Sequence, residues 1–166
     1  MRVLSKISVV GVLLSAVIYL GSCGGGGGGG VGTSAVSPSG SGFVTLDPNT
    51  GVLTGSFVTT NVANAVAAHI HDGNVGVAGP IVVPLALSAP GSATWAVPAN
   101  AIPLTVDRIA RLQAGGYYVN VHTTLNPLGE IRGQLTPDGA IANKFNANLT
   151  LAQEVQLPVL PPGAAY

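Results

Sequence analysis

The sequence predicts an all-β fold, a Greek-key-like antiparallel β-sandwich or barrel with one short helix. Three observations carry this. Hydrophobic residues make up 47% of the 166-residue chain but aromatics only 5%, so the apolar content is largely Val, Ala, Leu and Ile. The 24 Gly and 12 Pro mark many turns. From Phe43 onward, short β-like runs follow one another between turn signals, the pattern of a sandwich or barrel.

The runs, in order, are GFVTLD, VLTGSFVTT, AVAAHIH, PIVVPLAL, SATWAVP, YYVNVHT and GEIRGQL. DPNTG, DGNVGVAGP, SAPG, NPLG and TPDG separate them. One segment differs. In LTVDRIARLQAGG, Val106, Ile109, Ala110 and Leu112 or Gln113 recur at near-helical spacing, Thr105 can cap the start and Gly115 can end it. A short helix is therefore expected before the strand that carries His122.

The ends have other compositions. MRVLSK is short and basic, a fourteen-residue apolar run follows, and then GSC. A spanning helix needs about 20 apolar residues, so the run is short for an anchor and has the layout of a secretory signal. LGSC resembles the bacterial lipobox. Residues 1–22 are expected to be a lipoprotein signal peptide and Cys23, the only cysteine, the lipidated residue. Export to the cell envelope and attachment to a membrane, the outer membrane favoured, follow from that expectation. Residues 23–41, Gly- and Ser-rich, read as a tether, and residues 42–137 as the β domain. Seven consecutive Gly without a preceding strand or a following GK[ST] do not make a phosphate loop. Removal of the signal leaves Arg108, Arg111, Arg132 and Lys144 against six acidic residues, so no basic surface for nucleic acid is expected.

Two-residue periodicity assigns the faces. Val66, Ala68 and Ile70 share one face of their strand, and Ala67, His69 and His71 the other. Tyr117, Val119, Val121 and Thr123 oppose Tyr118, Asn120 and His122. If the two strands are neighbours, the chain's three histidines lie on one side of the sheet. Trp95 and Tyr118 are expected to be packing residues.

AHIHDGNVGVAGPIVVPL together with LQAGGYYVNVHTTLNPLGEIRGQL resembles the CHRD domain, a repeat named after chordin and also present in bacterial secreted proteins. Asp72, before Gly73, is one residue more than the pattern has. The resemblance implies an extracellular module that binds rather than catalyses, with a protein or matrix ligand that the motifs do not name. A fainter likeness connects H-x-H and the later V-H to the copper ligands of Cu/Zn superoxide dismutase, also a Greek-key β fold. By that likeness His69, His71 and His122 would stand as copper ligands, although no counterpart of the bridging histidine or the zinc ligands is present.

Three imidazoles with an open fourth position suit copper or zinc. Two readings of them are open at this point: metal ligands, or hydrogen-bonding pillars that tie DGNVGVAG to TTLNPLG. Asp72, Asn120, Thr123, Glu130 and Arg132 are the nearby polar groups that could support a site. Glu130 and Arg132, two apart on one strand, could pair with each other or with neighbours. A metal site would lose affinity below the ordinary histidine pKa of about 6.5. An extracytoplasmic binding module is preferred to a dismutase-like copper enzyme or a purely structural surface domain. Finally, residues 138–166 contain NANLTLAQEV, which looks like the strand that usually opens a CHRD repeat. Ala147, Leu149 and Leu151 alternate with polar residues there, so residues 145–155 are expected to pair with a strand of the first half, within the chain or across a dimer.

Overall fold

In the computed structural model, which describes residues 36–155, eight antiparallel strands close into a β-barrel. The strands are β1 (Ser39–Leu46), β2 (Leu53–Thr60), β3 (Ala65–Asp72), β4 (Ile81–Leu87), β5 (Thr94–Ala96), β6 (Tyr117–Thr123), β7 (Ile131–Gln134) and β9 (Lys144–Thr150), with the two-residue β8 (Thr136–Pro137) paired to β9. The order around the wall is β1-β2-β5-β4-β3-β6-β7-β9, and β9 closes on β1. The connections β2 to β3 and β5 to β6 each pass over two strands, which is the Greek-key element of the topology. The expected Cys23 modification and the signal segment lie outside the described residues.

Alternation fills the barrel. Val44, Leu46, Phe57, Ala68, Ile70, Val119, Val121, Ile131 and Leu149 point inward and are buried. The helix α1 (Val106–Gln113) lies between β5 and β6; Leu112 enters the core and Gly115, at φ 69°, ends the helix. Thr105 stands at the N-cap position, but its side chain makes no capping hydrogen bond.

The C-terminal strand meets the expectation of pairing with the first half: β9 runs antiparallel to β1 from Ser39 opposite Thr150 to Thr45 opposite Lys144. Phe145, Ala147 and Leu149 are buried. Leu151 is not, since the strand ends at Thr150 and a 3-10 turn (Leu151–Gln153) carries Leu151 to the surface. β1 also begins inside the stretch read as tether. Gly40 and Gly42 lie within the strand, where a Cβ at either would strike the backbone of β2. Their glycine content reflects a close approach of two strands as well as composition.

One face assignment fails locally. Val66 is 58% exposed, not in the core with Ala68 and Ile70. The pairing of β3 with β6 shifts between Ala65 and Ala67, so Val66 is the extra residue of a β-bulge and leaves the alternation.

Candidate metal centre

β3 and β6 are neighbours. Ala67 stands opposite His122, His69 opposite Asn120, and His71 opposite Tyr118. Directly opposed residues share a face, so all three histidines project from the outer side of the barrel wall. Their ring centroids are 4.9 Å (His69 to His122), 5.5 Å (His69 to His71) and 5.7 Å (His71 to His122) apart.

Two loops cover this face. Residues 73–80 join β3 to β4, and residues 124–130 join β6 to β7. His71 Nδ1 lies 2.9 Å from the Gly79 carbonyl oxygen, and His122 Nδ1 lies 3.0 Å from that of Pro127. A carbonyl oxygen only accepts, so each Nδ1 carries the proton and each Nε2 keeps its lone pair. Those two Nε2 atoms, together with His69 Nδ1, are buried and without a hydrogen-bond partner among the described residues. One ring nitrogen from each histidine lies within 4.8 Å of the others. Metal–nitrogen bonds of about 2.1 Å hold two donors at most about 4.2 Å apart, so a small inward turn of the rings would close the set around an ion. The three clustered histidines can hold a metal. The pillar reading is met by the same geometry: one nitrogen of His71 and one of His122 ties down a loop, and the other is left over.

The support is largely backbone. Neither Asp72, Thr123 nor Glu130 bonds an imidazole. Asp72 pairs with Arg111 at 2.8 Å on the surface. Glu130 accepts from Thr123 Oγ1 and from the Asn126 amide, and these bonds shape residues 124–130. Arg132 does not pair with Glu130; it donates to the Asn74 carbonyl at 2.8 Å and places its guanidinium 3.4 Å over the Tyr118 ring. Asn120 donates to the Leu128 carbonyl at 3.1 Å.

Tyr118 is not an ordinary packing residue. It stacks on His71, accepts a 3.1 Å hydrogen bond from Gly79 N, and lies under Arg132. Gly79 can only be glycine here, because a Cβ would run into the Asp72 carbonyl. The His71 ring and its loop are thus locked from two sides.

Burial sets the electrostatics. The His69 pKa falls to about 4, first through desolvation and then through repulsion from His122 and His71. His71 and His122 are also pulled below 6.5 by desolvation, against the opposing pull of the Gly79 and Pro127 carbonyls. The rings are therefore neutral at pH 7, the state that ligation needs.

A cavity of about 210 Å³ adjoins the rings, lined by His71, His122, Asn120, Leu128, Glu154 and Val155 among others. Glu154 escaped the sequence reading. Nothing in its local pattern links it to histidines far up the chain.

The CHRD domain model matches residues 28–135, most of the chain, and spans every histidine. The chain belongs to the CHRD domain family. No curated protein and no solved structure matches it. The CHRD match ends before β9, so the strand that closes the barrel and the turn that carries Glu154 lie outside the matched residues.

Proposed function

We propose that this chain is an exported, lipid-anchored CHRD module that binds a transition-metal ion, copper or zinc, through His69, His71 and His122. The observation that carries the reading is the set of three buried ring nitrogens without partners among the described residues, two of them fixed as lone-pair donors by backbone carbonyls. Neutral imidazoles on a stiff pair of strands lose little freedom on ligation. Attachment through Cys23 would hold the module at a membrane surface, since acyl chains contribute about 0.8 kcal/mol per buried CH₂.

A binding role is preferred to a copper redox enzyme. A dismutase-like site would use a guanidinium open to an incoming anion. Arg132 is instead 1% exposed, held under loop 73–80 and against Tyr118. The deciding experiment is metal analysis of the untagged protein followed by titration with Cu²⁺ and Zn²⁺. One equivalent bound, lost in His122→Ala, is the expected result. No stoichiometric uptake at neutral pH would reduce the histidines to structural pillars.

A further inference from the structure

The cavity beside the histidines is rich in electron-pair donors. His71 Nε2 and His122 Nε2 border it, as do Asn120 and Glu154. Asn120 Oδ1 and Glu154 Oε2 are, like the two nitrogens, buried and without a hydrogen-bond partner among the described residues. Both lie against Gly129, where a Cβ would collide with the Asn120 amide and with Glu154 Oε2. The carboxyl is thus packed onto the residue that holds the loop over His122. Its other oxygen accepts from Val155 N at 3.1 Å.

A buried carboxylate is costly unless a cation meets it. The Arg132 charge acts on Glu154, yet the two form no ion pair among the described residues. Arg132 Nη2 donates to the Asn74 carbonyl and the guanidinium lies over Tyr118, while Nη1 is buried without a hydrogen-bond partner among the described residues. Four electron-pair donor atoms around one small cavity, one of them on a carboxylate, form an electron-rich wall that suits a metal cation.

We propose that Glu154 is the charge-balancing neighbour of the metal centre, its carboxylate compensating, from across the shared cavity, the charge of a divalent ion held by the three histidines. The inference rests on the metal-binding reading above. It gives the C-terminal segment a second task. β9 closes the barrel, and the turn after it sets a negative charge beside a ligand set that is otherwise neutral. Three neutral imidazoles alone leave a bound divalent ion at +2 beside Arg132. The carboxylate lowers that charge, and its attraction for a doubly charged ion is twice that for a singly charged one at the same place.

The test compares Zn²⁺ and Co²⁺ with Ag⁺ on the untagged full chain and on Glu154→Gln. The expected result is a loss of divalent affinity of about 100-fold and of Ag⁺ affinity of about 10-fold, twice the effect on the logarithmic scale. Glu154→Asp, which keeps the charge, should restore the preference in part. Gln153→Ala is the control for docking of the turn, because Gln153 bonds Gln134 N and the Asn148 carbonyl without carrying charge. It should leave the ratio of divalent to monovalent affinity unchanged. Equal losses for both ions, or the same change in Gln153→Ala, would make Glu154 a structural residue and overturn the inference. Unchanged affinities in Glu154→Gln overturn it too, with the three-histidine site still standing. A wild type that takes up none of the three ions removes the metal reading and this inference together.

Discussion

The Tyr118 ring lies parallel to the His71 imidazole, 5.0 Å between centroids and 11° between planes. The two residues stand directly opposite each other on β6 and β3, and the Arg132 guanidinium from β7 lies 3.4 Å over the tyrosine ring. Three neighbouring strands thus build one stack that ends on a candidate ligand, and the stiffness of the barrel wall is transmitted to the ring.

Removing that stack should be felt in stability and in the site. Arg132→Ala loses a desolvated contact with an aromatic face worth about 2 kcal/mol and a charged hydrogen bond of about 1.5–3 kcal/mol, partly offset because a buried charge also disappears. A net destabilisation of about 2–4 kcal/mol is expected by denaturant unfolding. The His71 ring resonances should broaden as loop 73–80 loosens. A variant as stable as wild type would mean that the guanidinium contributes nothing net.

The histidines are predicted to act as one unit. His69→Ala, His71→Ala and His122→Ala should each weaken metal binding by more than the roughly 10–100-fold that loss of a supporting group costs. Isothermal titration on the three variants checks this. If one substitution leaves affinity intact, that ring is a pillar and not a ligand.

The pH response of the metal-free protein follows from the lowered histidine values. In the unfolded chain the three rings take up protons near pH 6.5. In the fold His69 resists to about 4, and the other two also titrate below 6.5. Between these limits the unfolded chain binds more protons, so this contribution is fully present above pH 6.5 and declines as the pH falls toward 4. Burial raises the Glu154 carboxyl above 4.5, against the Val155 N–H, the Arg132 charge and the Asn120 amide. That group has the opposite sign: its contribution is lost as pH rises through the raised value. Denaturant unfolding between pH 4 and 7 should show stability falling with acid, and the slope should vanish or reverse when all three histidines are replaced by Gln. Metal binding should persist to lower pH than an ordinary histidine pKa implies.

β9 is predicted to be indispensable to the barrel. Leu149→Ala should cost about 2–5 kcal/mol, since Leu149 of the closing strand is fully buried in the core. Deleting residues 144–166 removes Phe145, Ala147 and Leu149 and uncovers the edges of β1 and β7. Aggregation or loss of cooperative melting is expected, by light scattering and calorimetry. A soluble, cooperatively melting truncation would show that the barrel closes without it.

Lipidation is tested by mass spectrometry of the mature protein. An acylated Cys23 at the N-terminus is the expected species. An unmodified terminus at another residue would remove the membrane anchor from the proposal, with the metal site untouched.

Much of this protein was legible in the residue order. Turn-forming Gly, Pro, Asn and Asp cut the chain into strands, and two-residue alternation put His69 with His71 and His122 opposite Val121, because successive side chains on a strand must point to opposite faces. The same rule placed Val119, Val121, Ala147 and Leu149 in the core. It misplaced Val66 and Leu151, where a bulge and a strand end stop the alternation for reasons that lie in the partner strand. Only the tertiary structure decided that β3 lies beside β6, which turns two separate histidine motifs into one cluster. It also decided that Gly79 and Pro127 carbonyls orient the rings, that Tyr118 and Arg132 brace them, and that Glu154 arrives from beyond β9. Backbone carbonyls carry no residue signature, and contacts between distant segments depend on the order in which strands close the barrel. Local periodicity contains no information on either.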